Sequence, residues 1–357
     1  MRKNRSDVKK LMDGESPKLA IWLLFIVGIL ILTIIPVLIT LPAIFHFWDF
    51  SQTGQIGDTI GGITAPFIAL VGALLTFLAF WIQVKANKVQ TKQFKAQDIS
   101  NKKERFETKF YDMIKLHREN VSELNIQGVA LGRDCFVEMF NELRFCYCHL
   151  AKLKDSNFHA RKLSKEQLYN IAYLTFFFGI GFRENIAYKE LMSKFNEFFI
   201  FNYNDTLSKI QSNWVKNQPI TIAHEIEGKK CTLAIKYIPF DGHAAILGHY
   251  FRHLFQTAKF IIDQDDEIVP DKYEYIKTLR AQLSTHEQLL LYYNSLSILG
   301  EPWNDNKLLS DYRIVKNILL PYADFYIQPN DMFGQQNIKG ANIFEWDEIL
   351  ERLNKLS

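Results

Sequence analysis

Side chains capable of acid–base or ion-pair chemistry interrupt an apolar stretch in the C-terminal half of the chain. The sequence GHYFRHLFQTAKFI at residues 248–261 carries His249, Arg252, His253 and Gln256 at spacings of three and four residues. On a helix, groups at these spacings lie within reach of one another. Polar groups inside an apolar helix cost free energy unless each finds a partner. The stretch therefore predicts either a buried polar network or a functional site.

A second polar line follows in LRAQLSTHEQLLLYYNSL. Arg280, Ser284, Glu287 and Asn294 fall at offsets of four, seven and fourteen residues within a sequence rich in leucine and tyrosine. These offsets place the four side chains along one face of a helix. A line of polar groups on a largely apolar helix predicts that they face a partner element rather than lipid or open solvent.

The two polar stretches predict two long helices that could face each other. The expected bounds are residues 243–263 and 271–299, joined by the short acidic loop DQDDEIVPD. A short connection favours antiparallel packing, and a carboxylate opposite an arginine forms charge-assisted hydrogen bonds. We therefore expect Arg252 and Glu287 to pair across the two helices.

Recognised catalytic templates do not accompany these residues. The sequence contains no P-loop, no GxGxxG, no HExxH and no nucleophile elbow. Ser284, His286 and Glu287 lie close in sequence, but a catalytic triad is defined by geometry. Structure or ligand recognition is the favoured interpretation of the cluster, and catalysis is the alternative.

The cysteines do not predict a metal centre. Cys135, Cys146, Cys148 and Cys231 have no framework spacing. Cys146-x-Cys148-His149 offers metal-binding atoms, but no second ligand pair follows it. We expect free thiols in a reducing cytosol, with neither a metal nor a cofactor.

Two uncharged runs predict membrane spans. Leu19 to Phe45 and Thr59 to Val84 contain no charged residue, and about 20 apolar residues suffice to cross a bilayer. The first run is too long for the core of a signal peptide. The sequence thus predicts a two-span N-terminal transmembrane helical hairpin over residues 19–84, in contact with membrane lipids.

The distribution of lysine and arginine predicts the orientation of this hairpin. Cations cluster at residues 2–18 and 85–105, whereas the connecting loop HFWDFSQTGQIGD at 46–58 has none. Positive residues favour the cytoplasmic side. Both termini are therefore expected in the cytoplasm, with the short loop outside.

Small residues recur every four positions in the second run and predict a packing face. A helix face of this kind lets two backbones approach closely in lipid. The partner is either the first span or another copy of the chain, which would form a homo-oligomer. The face consists of Gly57, Gly61, Ala65, Ala69 and Ala73.

The remaining chain predicts a mainly α protein with a small β-hairpin at residues 220–238. The predicted domains are a basic cytoplasmic tail at 1–18, a basic juxtamembrane helical stalk at 85–107, and a cytosolic mainly helical domain at 108–357. Placement beside anionic headgroups accounts for the lysines of the stalk, so a nucleic-acid partner is not expected. Further helices are predicted at residues 135–153, 164–178, 185–199, 305–320 and 345–356. Ser164 and Gln167 form a capping-box signature at the start of the second of these.

Four stretches of the chain resemble the bacterial phage abortive infection proteins of the AbiC type. They are GHYFRHLF, YIKTLRAQLSTHEQLLLYYNSL, GDTIGGITAPFIALVGALLTF and FETKFYDMIKLHREN. The resemblance covers most of residues 54–300, and residues 301–357 show no likeness. It implies a bacterial inner-membrane protein that restricts phage multiplication at the expense of the infected cell, without a settled enzymatic activity. The positions that carry it are His249, Tyr250, Phe251, Arg252, Arg280, Ser284, Glu287 and Asn294.

Three functional hypotheses remain open from the sequence. The first is a membrane-anchored antiphage protein whose cytosolic domain senses a phage-derived protein or infection signal, and whose membrane hairpin contributes to the response. The second is a membrane-tethered hydrolase or nuclease centred on His249, Arg252, Arg280 and Glu287. The third is a non-enzymatic scaffold that recruits partners to the membrane.

Overall fold

The structure, a computed structural model, describes part of residues 22–37 and then residues 53–156, 162–180, 186–216, 220–226, 229–335 and 342–356. Within these residues the chain is mainly helical, with two small antiparallel sheets of two strands each. The predicted class, mainly α with a small β-hairpin, is confirmed. The chain divides into two compact units, Met1–Asp98 and Ile99–Ser357.

Helix α1 (Thr53–Ser122) is 70 residues long and extends from the first unit into the second. It merges the second predicted span, the stalk and the first helix of the cytosolic domain. The stalk residues are rich in lysine, glutamine and alanine, which are strong helix formers. Pro66 lies inside the helix, in the apolar part where membrane helices tolerate proline.

The stretch Gly57–Ser122 of α1 is, among the described residues, the one helix long and apolar enough to cross a membrane, judged by length and composition alone. The first predicted span, residues 19–45, lies mostly outside the described residues, and those described between 22 and 37 are helical. The two-span hairpin therefore stays a prediction. The predicted outer loop needs one correction, because α1 already begins at Thr53.

The predicted small-residue face of α1 is exposed along its length in the first unit. An apolar cavity of about 70 Å³ is lined by Phe67, Ile68 and Val71 of α1 together with Gly28 and Ile31. Gly28 and Ile31 of the first apolar segment thus lie beside this part of α1. The partner of the small-residue face stays a prediction.

A tight hairpin connects α1 to the core of the second unit. Strands β1 (Asn125–Ile126) and β2 (Ala130–Leu131) pair antiparallel, and Gly128 occupies the turn with φ of 71°. Helix α2 (Asp134–Ser156) follows and packs against two later helices of the domain. Its buried apolar residues include Cys135, Phe136, Met139, Phe140, Leu143, Phe145, Cys146 and Leu150.

Helix α3 (Lys165–Phe178) begins at the predicted capping box, in which Ser164 and Gln167 bond each other's backbone. It ends at Gly179, whose backbone meets that of Gly242. A Cβ on Gly179 would lie 2.5 Å from the Asp241 carbonyl oxygen, and both glycines have positive φ. Only glycine fits at the point where these two backbone segments cross. The contact holds the start of the helix that begins at Ala244 beside the end of α3.

The single helix predicted at residues 185–199 is wrong, because two helices form there. They are α4 (Ile186–Met192) and α5 (Glu197–Lys216). The side chain of Asn196 accepts a hydrogen bond from the Phe199 backbone N–H at 3.0 Å, which starts α5 anew. The predicted hairpin is confirmed as β3 (Ile220–Ile226) and β4 (Lys229–Ile235).

Helix α6 (Ala244–Ile262) confirms the first predicted polar helix, but the second is wrong as one continuous helix. The chain forms α7 (Lys272–Arg280) and α8 (Thr285–Ser295) instead. Ser284 is extended, with φ −68° and ψ 167°, and it forms a capping box with Glu287. A capping box satisfies backbone N–H groups at a helix start, so it ends one helix and begins another.

The C-terminal region contains four short helical elements among its described residues. They are α9 (Glu301–Asp305), a 3-10 turn (Leu320–Tyr322), α10 (Pro329–Phe333) and α11 (Glu345–Asn354). The helix predicted at 305–320 is wrong, since Lys307 and Arg313 adopt φ of 54° and 50°, values that a right-handed helix excludes. The helix predicted at 345–356 is confirmed.

Candidate functional site

Glu287, at the start of α8, lies at the centre of a buried polar cluster. Its carboxylate is fully buried. One oxygen, Oε1, accepts from the Tyr250 hydroxyl at 3.0 Å, and Oε2 accepts from the Ser284 backbone N–H at 2.6 Å. Arg133 Nε lies 3.7 Å from Oε2, and His117 Nε2 lies 3.8 Å from Oε1. Buried charge of this kind persists in proteins when it is paired and hydrogen-bonded in this way.

We define the Glu287 cluster as His117, Arg133, Tyr250, His253 and Glu287. These residues come from α1, the residue just before α2, α6 and α8. The cluster brings four segments of the second unit together around one carboxylate, with His253 packed against His117. Removal of the carboxylate would leave the Tyr250 hydroxyl and the Ser284 backbone N–H without this partner at once.

Two imidazoles in the Glu287 cluster are incompletely bonded. Nε2 of His117 and both ring nitrogens of His253 are buried without a hydrogen-bond partner, and the two rings stack with centroids 6.0 Å apart. Burial, assisted by His253 and Arg133, lowers the pKa of His117 to about 4. Burial and His249 lower the pKa of His253. Both rings are therefore neutral near pH 7, and unpaired buried nitrogens are a recurrent property of functional sites.

A cavity of about 900 Å³ lies beside the Glu287 cluster. Its lining comes from the end of α1 and the start of α2, and it includes His117, Arg118 and Arg133. Arg133 is exposed on the cavity side, and its guanidinium also donates to the Gln282 carbonyl oxygen at 2.8 Å. The same arginine thus joins the cavity to the buried carboxylate.

The geometry of the Glu287 cluster favours recognition over bond-making. Both oxygens of Glu287 are occupied by partners within the protein, and its side chain has no exposed surface. Ser284 Oγ accepts the Glu287 backbone N–H at 3.3 Å as part of the capping box. An activated nucleophile instead needs a base within hydrogen-bond reach, and the Ser284 hydroxyl serves to cap a helix.

The structure separates the residues that the sequence predicted as one site. Arg252 is exposed, so its predicted pair with Glu287 is wrong. Successive residues of a helix are rotated by about 100°, which puts Tyr250 and Arg252 on opposite sides of α6. Tyr250 takes the position beside Glu287 that was expected for Arg252.

The other predicted residues have separate surroundings. Arg280 is buried and donates to the Arg313 carbonyl oxygen at 2.8 Å, whereas His249 is exposed. Asn294 and Arg252 line a second, smaller cavity at the other side of α6. Of the predicted set, the structure brings Ser284, Glu287 and His253 together with Tyr250, His117 and Arg133. Of the last three, only Tyr250 was singled out from the sequence, as a position that carries the resemblance.

A second buried carboxylate was missed from the sequence. Glu142 on α2 is fully buried and accepts from the Tyr237 hydroxyl. It also accepts from the Phe240 backbone N–H at 3.0 Å and lies 3.2 Å from His243 Nε2. Burial and the neighbouring Glu142 raise the pKa of Tyr237. An acidic residue within the apolar helix CFVEMFNELRF was the available signal, but its partners lie about a hundred positions away.

The described residues contain no group of three His, Cys, Asp or Glu side chains that could hold a metal ion. Cys146 is fully buried, and burial raises the pKa of its thiol. His149 Nε2 lies 3.1 Å from Thr206 Oγ1. The Cys146-x-Cys148-His149 sequence therefore forms part of the packed interior of α2.

Comparison with known proteins shows that part of the chain is similar to one family. A family model described as "putative phage abortive infection protein" matches residues 242–321. The resemblance drawn from the sequence is confirmed over these residues, and it continues past residue 300, where no likeness was expected. Residues 54–241 lie outside the match. No curated protein and no solved structure matches the chain.

The matched segment contains three of the five residues of the Glu287 cluster. It comprises α6, α7 and α8 and continues through α9 to the 3-10 turn. Tyr250, His253 and Glu287 of the Glu287 cluster lie within it, whereas His117 and Arg133 do not. The likeness to that family thus covers the segment that contains Glu287.

Proposed function

We propose that the protein is a membrane-anchored phage abortive infection protein of the bacterial inner membrane. In this proposal the cytosolic domain senses a phage-derived protein or infection signal, and α1 conveys the response to the membrane. The observation that carries the proposal is the composition of α1. One helix presents a long apolar stretch at its beginning and supplies His117 to the buried Glu287 cluster near its end.

The apolar part of α1 supports the membrane anchor. No residue in its most apolar stretch is buried. Contiguous exposed apolar surface of this extent indicates a lipid or protein partner. The lysines that follow favour the cytoplasmic side, so both termini lie in the cytoplasm in a multi-pass arrangement. The exposed apolar residues are Ile63, Phe67, Ile68, Leu70, Leu74, Leu75, Phe77, Phe80, Trp81 and Ile82.

The end of α1 supports the proposed signal transfer. Phe106, Phe110 and Ile114 are buried in the core of the second unit, and His117 follows one turn later. A ligand shifts an equilibrium only when it binds one state more tightly than another. A ligand in the cavity lined by His117 and Arg133 would contact α1 directly, and so could favour one arrangement of its end.

Interruption of α1 between its apolar part and the cytosolic domain tests the proposal. Lys95 is exposed in the helical stalk. Proline there removes a backbone hydrogen bond and kinks the helix, whereas alanine preserves it. We expect Lys95→Pro to accumulate normally but to lose protection in a phage plating assay, with Lys95→Ala as the matched control.

A membrane-potential dye during phage challenge identifies the kind of response. Early depolarisation with the wild type, absent with Lys95→Pro, supports the proposal. Loss of nucleotides or nucleic acid while the potential stays intact would instead support a tethered hydrolase. Equal protection by Lys95→Pro and Lys95→Ala would remove α1 from the mechanism.

A further inference from the structure

A small aromatic cavity on the solvent side of α6 is separate from the Glu287 cluster. It has a volume of about 250 Å³. We call it the Arg252 cavity and define it by Phe177, Gly248, Arg252, Phe255 and Trp303. Phe255 and Trp303 meet edge to face with centroids 5.2 Å apart. An aromatic ring inserted between such walls would gain both apolar burial and ring–ring contacts.

The wall formed by Trp303 is fixed by bonds within the protein. Trp303 Nε1 donates to Asn294 Oδ1 at 3.1 Å, and Asn294 Nδ2 donates to the Tyr173 hydroxyl at 2.7 Å. A Cβ on Gly300 would lie 2.0 Å from the Asn294 carbonyl oxygen. Glycine at this position lets the start of α9 contact the end of α8. The cavity is therefore preformed, which lowers the entropy cost of binding.

Gly248 keeps part of this cavity open. Glycine inside a helix is destabilising relative to alanine. A Cβ at position 248 would meet only Phe177 Cζ, at an ordinary contact distance of 3.6 Å. Packing therefore does not require glycine here, unlike at Gly300. The absence of a side chain leaves space in the cavity that a larger residue would fill.

Arg252 provides charge at the edge of the cavity. Its side chain is exposed. Its guanidinium forms no ion pair or hydrogen bond with the residues that the structure describes. Arginine forms well-oriented bonds with a carboxylate or a phosphate. A ligand with a ring in the cavity and an anionic group beside the ring would satisfy both features.

We propose that the Arg252 cavity binds one aromatic side chain of a partner polypeptide that carries an adjacent carboxylate. The volume favours a single side chain over a whole nucleotide, because sites for drug-sized small molecules occupy about 300–1,000 Å³. The smaller cavity suits a single side chain, and aromatic anchors in such pockets dominate many protein interfaces. The inference deepens the proposed function, on which it rests for a phage-derived source of the polypeptide.

Binding of a short peptide to the detergent-solubilised full-length protein tests the inference. The probe is acetyl-Asp-(4-fluoro-Phe)-Asp-amide, titrated by fluorine NMR, and acetyl-Asn-(4-fluoro-Phe)-Asn-amide is the uncharged control. We expect saturable binding of the acidic peptide and binding of the control weaker by up to about fivefold, as for an exposed ion pair. Added salt should reduce this difference.

Variants of the cavity residues test separately the contribution of the Arg252 charge and of the space beside Gly248. Arg252→Gln should bind both peptides equally, because only the charge contact is lost. Gly248→Leu should remove binding of both by filling the cavity, and Gly248→Ala should weaken both to a smaller extent. Melting temperatures verify that each variant is folded. His249→Gln is the matched control, since His249 is exposed on α6 and does not line the cavity.

The outcomes distinguish this inference from the proposed function. Absence of saturable binding to the wild type, or binding unaffected by Gly248→Leu, would overturn it. Saturable binding of adenosine monophosphate in place of the peptide would overturn the polypeptide assignment. Peptide binding that depends on Gly248 and Arg252, while both variants keep wild-type protection in the plating assay, would support the cavity and count against a phage-derived source of the polypeptide. Absence of protection by the wild type would overturn the proposed function and leave the peptide binding unaffected.

Discussion

At the scale of single residues, Glu287 and Arg252 have opposite surroundings although both were expected in one ion pair. Glu287 is buried with several partners, whereas Arg252 is exposed. We expect Glu287→Ala to lower the free energy of unfolding by about 3–5 kcal/mol, because it leaves buried polar groups unpaired. Arg252→Ala should change it by less than about 0.5 kcal/mol. Urea unfolding of the solubilised protein measures both.

This comparison replaces the expectation of an Arg252–Glu287 pair, in which both substitutions would destabilise the protein by leaving one buried charge alone. Similar losses of stability for the two variants would contradict the separation of Glu287 from Arg252. Abundance in cells gives a second measurement, since a loss of this size changes the amount of folded protein.

His117 should make stability depend on pH. Its pKa is lowered from 6.5 to about 4, so the unfolded chain binds more protons than the folded protein between these values. The contribution of neutral His117 is complete above pH 6.5 and is lost as the pH falls toward 4. The loss is at most about 3 kcal/mol.

Urea unfolding at several pH values checks this dependence. The wild type should lose stability between pH 6.5 and 4, and His117→Gln should show a smaller slope in that window. His253 acts in the same direction, because its pKa is also lowered. An unchanged slope in His117→Gln would show that other groups control the acid sensitivity.

At the scale of elements, the two glycines Gly300 and Gly248 have different physical roles. Gly300 lets α9 begin against the Asn294 carbonyl oxygen, whereas Gly248 has space around it. We expect Gly300→Ala to reduce the melting temperature, because the new Cβ would overlap backbone atoms. Gly248→Ala should raise stability by about 0.4–1 kcal/mol through helix propensity and a less flexible unfolded chain. Thermal melting of the two variants side by side is the measurement.

Helix ends were predictable where a capping side chain was recognised. Ser164 and Gln167 were read as a capping box and form one. Ser284 and Glu287 have the same spacing, yet the surrounding leucines favoured one long helix. Glu287 was interpreted as the partner of a distant arginine, so its role in capping the start of α8 was not predicted. The spacing of Ser284 and Glu287 in the sequence would have allowed that prediction.

At the scale of the molecule, the predicted orientation of the chain in the membrane can be measured directly. The expected outer loop lies between an apolar segment and α1, with cations on the far side of each. A cysteine at Ser51 should react with an impermeant thiol reagent in intact spheroplasts, and one at Ser100 should be protected. The three native cysteines described, Cys135, Cys146 and Cys148, are buried. Labelling at Ser100 without labelling at Ser51 would reverse the orientation.

The sequence by itself determined the mainly helical class, the hairpin around Glu227-Gly228, the long apolar run of α1 and the family resemblance over α6 to α8. These features rest on local properties: helical periodicity, turn residues, hydropathy and short sequence similarity. For the same reason the sequence indicated that Glu287, Arg252 and Asn294 are unusual residues in apolar helices.

Only the tertiary structure decided which of these residues meet. Glu287 pairs with Tyr250, His117 and Arg133, and the last two come from segments more than 150 positions away. Such contacts depend on how α1, α2 and α6 pack, and a rotation of 200° between Tyr250 and Arg252 assigns them to different sites. A single sequence specifies the type of each side chain, but the facing surfaces of distant helices are set by packing of the whole core.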